Sequence, residues 1–264
     1  MLPNFAGTVS NPVRLLCVDD AGNPEPPTTL ATTAVITSTG GNTFAFLTGF
    51  TYAYGLTLQA GTVSVDDFST LELSGVGYLT TWQSCLFKLL TISSFVNVIT
   101  GAGTCIWKSC QVYFSNSVQA VSISAQFKWS GGSFASGSTS PTDIFKFFTA
   151  GANGLIEGVD FSSLSAGVNF CSTTTGMCRL VVRNCKLPTS WSGSLNASTP
   201  GYGSRFSLYN CDAGDTNYRL IIKTPAGTIT NETTIVLTGG ASDGTTSLSW
   251  KLVSNSQANF TNLS

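Results

Sequence analysis

The chain contains no histidine. That absence removes the Ser-His-Asp and Cys-His nucleophilic arrangements and most zinc and iron centres, which rely on imidazole as base or ligand. Charge is scarce too: Asp, Glu, Lys and Arg make up 9% of the 264 residues, against roughly 25% in an average globular domain. With a net charge of −1 and only 12 basic residues, scattered along the chain, neither nucleic acid nor an anionic membrane is an expected partner, since both select clustered Lys and Arg. No apolar stretch reaches the roughly 18 residues of a membrane-spanning helix. The start, Met1-Leu2-Pro3-Asn4-Phe5, lacks the basic and apolar regions of a secretory leader, so folding in a cytosol is expected. No CxxC pair, GxGxxG loop or Walker loop is present. No segment carries a long apolar period of 3.6 residues with caps, so very little helix is expected; residues 80–90 are the best candidate.

What is present is apolar and β-forming. Hydrophobic residues make up 42% of the chain, which excludes disorder, since disordered chains are charged and poor in apolar residues. With so little charge, the surface must be covered by Ser, Thr, Asn and Gly. The eight cysteines read as buried reduced thiols behaving as small hydrophobes. Cys171 and Cys178, flanking Gly176 in a loop, are the pair most apt to depart from that. Asn196, Asn231, Asn259 and Asn262 match the glycosylation sequon by chance, in a Ser/Thr-rich chain without a leader.

One phrase recurs. Leu155-Ile156-Glu157-Gly158-Val159-Asp160-Phe161 aligns with Arg179-Leu180-Val181-Val182-Arg183-Asn184-Cys185 and with Arg205-Phe206-Ser207-Leu208-Tyr209-Asn210-Cys211, at offsets of 24 and 26. Each is a short apolar strand, then Asp or Asn, then Phe or Cys. Repeats of this length mark solenoids, in which each unit buries its apolar face against the next. The expected fold is an all-β parallel β-helix. The phrase also fits residues 90–95 and 105–110, only 15 residues apart, so the two cannot be the same corner of successive coils. Alternate columns should point inward: Leu90, Cys105, Ile156, Leu180 and Phe206 in one, and Ile92, Trp107, Gly158, Val182 and Leu208 in the other. Ser94, Ser109, Asp160, Asn184 and Asn210 fall at a tight bend, which suits Asn and Asp because they tolerate the left-handed conformation. Phe95, Cys110, Phe161, Cys185 and Cys211 would turn inward after it.

Three regions follow. Residues 1–30, with Pro3, Pro12, Pro24, Pro26 and Pro27, read as an extended N-terminal arm lying on another protein or subunit, with one possible strand over residues 13–18. Residues 31–217 form the solenoid, with short strands at 44–47, 52–58, 63–65, 71–74 and 86–92. Residues 131–141 read as a protruding loop. Residues 189–203 are another, whose Trp191 and Tyr202 are expected to fold back onto the rod. Residues 218–264 read as a C-terminal antiparallel β segment capping the last coil, with a hairpin about Thr224-Pro225-Ala226-Gly227.

Glycoside cleavage by paired carboxylates is the remaining chemistry, requiring two acids about 5–10 Å apart. Asp66, Asp67 and Glu72, Glu157 with Asp160, and Asp212 with Asp215 are the clusters. Asp66 and Asp67 point to opposite sides of a strand, Glu157 points to solvent, Asp160 falls at a bend, and Asp212-Ala213-Gly214-Asp215 is a turn. No residue is therefore assigned as catalytic, cofactor-binding or metal-binding, no cofactor is expected, and the chain is read as a non-enzyme. A histidine-free, Ser/Thr/Gly-rich β-solenoid with an arm resembles a bacteriophage virion structural protein, and residues 233–253 are similar to a segment recurring in such proteins. The resemblance implies a particle component assembled in the host cytoplasm. As a capsid decoration or cement protein it would bind the major capsid protein or other virion proteins as a dimer or trimer. As a tail fibre or tailspike component it would bind or cleave host glycans.

Overall fold

The computed structural model describes residues 7–19, 29–37, 44–45, 50–60, 68–69, 78–90, 96–99, 103–173, 176–197, 204–209, 211–212, 219–224, 234–238 and 249–254. The fold is a right-through parallel β-solenoid with no helix among these residues. Strands, numbered along the chain, fall on three faces. Face one stacks β1 (Val13–Leu16), β4 (Thr51–Tyr54), β7 (Leu79–Gln83), β10 (Thr104–Phe114), β12 (Gln126–Phe134), β14 (Asn153–Glu157), β16 (Arg179–Arg183), β17 (Arg205–Tyr209) and β19 (Thr234–Thr238). Face two, joined to it at a bend in one 12-stranded sheet, stacks β2 (Val35–Thr37), β5 (Thr57–Ala60), β8 (Leu86–Leu89) and the second half of β10. It continues as single bridges through Ser133, Asp160, Lys186 and Asp212. Face three is six-stranded: β3 (Phe44–Ala45), β6 (Phe68–Ser69), β9 (Val96–Ile99), β11 (Val121–Ile123), β13 (Asp143–Phe147) and β15 (Asn169–Thr173). β18 (Arg219–Thr224) and β20 (Ser249–Ser254) form a two-stranded parallel sheet.

The bend between faces one and two is a column of residues with left-handed backbone. Gly55 (φ 72°), Ser84 (53°), Ser109 (52°), Gly131 (65°), Gly158 (64°) and Asn184 (54°) occupy it on successive rungs. Each follows the last in-register pair of face one: Tyr54 on Gln83, Lys108 on both Gln83 and Ser130, and Glu157 on both Ser130 and Arg183. A left-handed residue reverses the alternation, so the next side chain turns inward. Leu56, Cys85, Cys110, Val159, Cys185 and Cys211 fill that position and are all buried. Gly132 takes it on the remaining rung, at φ +98°, where a Cβ would lie 1.9 Å from the Cys110 carbonyl oxygen.

This column corrects the repeat alignment. Asn153 pairs with Arg179, so the step between these rungs is 26 residues rather than 24. Gly158, not Asp160, takes the bend, because glycine adopts the left-handed conformation without the steric cost that Asn184 bears. Val159 replaces Cys185, Ile156 aligns with Val182, and Gly154 with Leu180. The match at 105–110 is the true corner; Ile92, Ser94 and Phe95 of the other lie outside the described residues. Residues 80–90, the best helix candidate in a chain expected to have very little helix, are β7, Ser84 and β8, whose burial alternates with period two.

Other boundaries move as well. The arm reading fails for Val13–Leu16, which is the first rung and pairs in parallel with Thr51–Tyr54; Val13 and Leu15 alternate inward as a strand requires. Residues 131–134 belong to β12, with Phe134 buried, so only the turn beyond them protrudes. The antiparallel cap is not formed by the described strands: β19 stacks in parallel on β17, and β18 pairs in parallel with β20. An alternating strand pattern does not distinguish the two pairings. The spacing does, since Arg205 to Thr234 and Arg219 to Ser249 each span about one coil. Trp191 folds back as expected and is buried, its Nε1 donating to the Val168 carbonyl at 2.7 Å. Tyr202 lies outside the described residues.

The core is aromatic and stacked along the axis. Trp82, Trp107 and Trp129 share one inward column. Phe87 stacks on Trp107 at 4.3 Å, Trp107 meets Trp129 edge-on at 5.3 Å, and the chain of rings continues through Phe161 and Phe170 to Trp191. Removing Trp107 would break ring contacts to the rungs on both sides, so Trp107→Ala should cost about 3–5 kcal/mol in urea unfolding. Gly132→Ala should cost more than the roughly 1–3 kcal/mol of backbone strain alone. Gly151→Ala, at φ +82° in open space, should stay within that range.

Candidate functional site

The sequence-derived acids are placed by the rung stacking. Glu157 is the last residue of face one and Asp160 the first bridge of face two, on either side of the Gly158 bend. Glu157 Oε1 meets the Arg183 guanidinium at 2.9 Å, and Asp160 Oδ2 meets Lys186 Nζ at 3.5 Å. Both partners sit one rung along at the same register, so these ion pairs run along the axis and tie coil to coil. Burial alone would raise the Asp160 carboxyl. Hydrogen bonds from the Ser162 hydroxyl and backbone N–H, with the charge of Lys186, outweigh burial and hold it below its ordinary value. That is opposite to the raised carboxyl a glycosidase needs as its general acid. Asp212 extends the same column beyond Lys186. Asp66, Asp67, Glu72 and Asp215 lie outside the described residues.

The thiols form a second constellation. All eight cysteines are free and buried, Cys171 and Cys178 included. Register places Cys85 beside Cys110 on neighbouring rungs, and Cys185 beside Cys211. Burial pushes the Cys105 thiol up to about 12 and raises those of Cys110 and Cys171 as well. Cys185 is raised by its hydrogen bond with Cys211 and then by burial. Cys85 moves the other way because the Cys110 thiol donates to it, yet it is only 2% exposed. A nucleophilic cysteine needs a thiolate and access together, and no described thiol combines them. Among the described residues, no group of three Cys, Asp or Glu side chains is close enough to hold a metal ion.

The concavity that sequence reading missed lies on the outer side of the first rungs. It is a shallow groove of about 430 Å³, lined by Val9, Arg14, Leu16, Leu30, Phe50 and Tyr52 among others. Register brings Arg14, Tyr52 and Thr81 into one outward column. Phe50 packs edge-on against Tyr78 at 5.9 Å, and the Tyr52 hydroxyl donates to Gln83 Oε1 at 3.1 Å. Burial raises the Tyr52 phenol further above its ordinary value. The groove offers rings, a guanidinium and hydroxyls. Its residues come from separate coils, so only the pairing of rungs could have revealed it.

Comparison with known proteins finds no family model that matches the chain, no similar curated protein and no similar solved structure.

Two outcomes test this description of the side chains. Ellman's reagent should react with the thiols of the native chain far more slowly than after denaturation in urea. The lowered Asp160 carboxyl contributes stability above the unfolded value of about 3.9, and loses it as pH falls through the folded value. The gap in urea midpoint between the native chain and Asp160→Asn should therefore be present at pH 7 and shrink towards pH 3.

Proposed function

We propose that the chain is a bacteriophage virion structural protein, serving as a capsid decoration or cement protein that binds and stabilises the assembled head shell. The observation that carries this reading is the use to which the rod's few charges are put. Glu157, Arg183, Asp160 and Lys186 are spent tying one rung to the next, and the inward positions are filled by rings and thiols. That is the economy of a rigid scaffold, consistent with the resemblance of residues 233–253 to phage structural proteins. Such a protein would stabilise a shell by mass action, because it binds the assembled lattice and not the dissociated subunits. An oligomer matching local lattice symmetry would fit the same role.

A second reading, a tail fibre or tailspike component that binds host glycans, is favoured by the groove beside Arg14, Phe50 and Tyr52, since sugars dock on aromatic faces flanked by polar groups. Heat inactivation separates the two. Heads carrying the chain should survive a temperature step that disrupts heads lacking it, and adding purified chain should restore resistance. Equal survival, with loss of host adsorption instead, would overturn the cement reading in favour of the glycan-binding one.

A further inference from the structure

Along the sequence the basic residues look scattered, but the fold gathers half of the chain's 12 onto one surface. Arg14, Lys108, Lys128, Arg179, Arg183 and Arg205 all point outward from face one, where Glu157 is the one acid among the described residues. Faces two and three are balanced, Lys88 and Lys186 against Asp160 and Asp212 on face two and Lys146 against Asp143 on face three; the remaining three basic residues, Arg219, Lys223 and Lys251, belong to β18 and β20. Glu157 is taken by Arg183. Arg14, Lys108, Lys128, Arg179 and Arg205 form no ion pair with any described residue.

The arrangement costs the fold something. Arg179 and Arg205 are both exposed and directly in register on adjacent rungs, about 4.8 Å apart along the axis. Like charges so placed repel, whereas at Glu157 and Arg183 the same face places opposite charges in register. In the middle outward column Lys128 stands in register between Ile106 and Leu155, with Val181 next, so half-buried aliphatic side chains flank that cation.

We infer that the outer surface of face one is a docking surface for an acidic protein surface. This deepens the particle-binding reading, and rests on it for where the partner sits though not for the partner's chemistry. Charge complementarity calls for an anion-rich partner. From β10 to β16 the uncharged side chains beside Lys128 are aliphatic, which suits the side chains of another protein; single-stranded nucleic acid is held by aromatic side chains on which bases stack. Eight rungs at about 4.8 Å and strands of about 16 Å span on the order of 550 Å², below the roughly 800 Å² per partner of a standard interface. One copy therefore binds modestly and salt-sensitively.

The test uses the full chain passed at low salt over an immobilised glutamate–leucine copolymer, with circular dichroism confirming that each variant is folded. Arg179→Glu with Arg205→Glu should weaken binding at least tenfold, and Lys108→Glu with Lys128→Glu should do the same. Lys88→Glu with Lys146→Glu changes net charge equally on the other faces, and should change binding less than twofold. Equal losses in all three pairs would overturn the inference, because net charge rather than the face would then govern binding. So would failure of the unaltered chain to bind the copolymer, or tighter binding to oligodeoxythymidine or to phosphatidylglycerol vesicles. The assay contains no particle. A chain that binds the copolymer through face one yet leaves heads no more heat-resistant would sink the particle reading alone.

Discussion

Everything in this molecule depends on in-register parallel stacking through one left-handed bend. On every rung from Tyr54 to Arg183 a residue with φ between 52° and 72° turns the chain from face one to face two, followed on the β12 rung by Gly132 at φ 98°. A slip of one residue there would send each inward side chain outward. The Trp82, Trp107 and Trp129 column and the buried Cys85, Cys110, Cys185 and Cys211 would lose their place together. The bend uses glycine, serine and asparagine in turn, so it is defined by backbone conformation more than by residue type. The side chain that follows it supplies the packing.

The same constraint organises the surface. Because register is kept along the rod, outward residues form columns, and the character of a column decides what it does. Where opposite charges meet, as at Glu157 on Arg183 and Asp160 on Lys186, the column holds the rod together. Where like charges meet, as at Arg179 on Arg205, the column contributes nothing to the rod's own stability and reads as a surface kept for a partner. The proposal of a scaffold that binds through one face rests on these two kinds of column.

The solenoid was legible in the sequence because its apolar residues alternate and its coil phrase recurs. The register was only partly legible. Asp160 resembles Asn184 chemically and drew the alignment two residues away from Gly158, which performs the bend by having no side chain at all. Residues 80–90 looked the best helix candidate because Ser84 interrupts the alternation, which resumes in the opposite phase. The C-terminal strands carried no mark of parallel pairing beyond their spacing. The groove at Arg14 and Tyr52 and the cationic face were invisible, since both are assembled from residues one or more coils apart, and scatter in sequence becomes a patch only once rungs are stacked. Glu157 was read correctly as pointing outward, but Asp160 was read as the bend residue, and the partners Arg183 and Lys186 one rung along could not be named before the register was known.

The central claim is that this rod is a scaffold that meets its partner through face one. A cryo-EM reconstruction of intact phage particles carrying the chain tests it most directly. The account predicts density for the rod on the head shell, with Arg14, Lys108, Lys128, Arg179 and Arg205 turned towards acidic side chains of the shell. Density confined to the tail, or a rod on the head with that face turned to solvent, would contradict it.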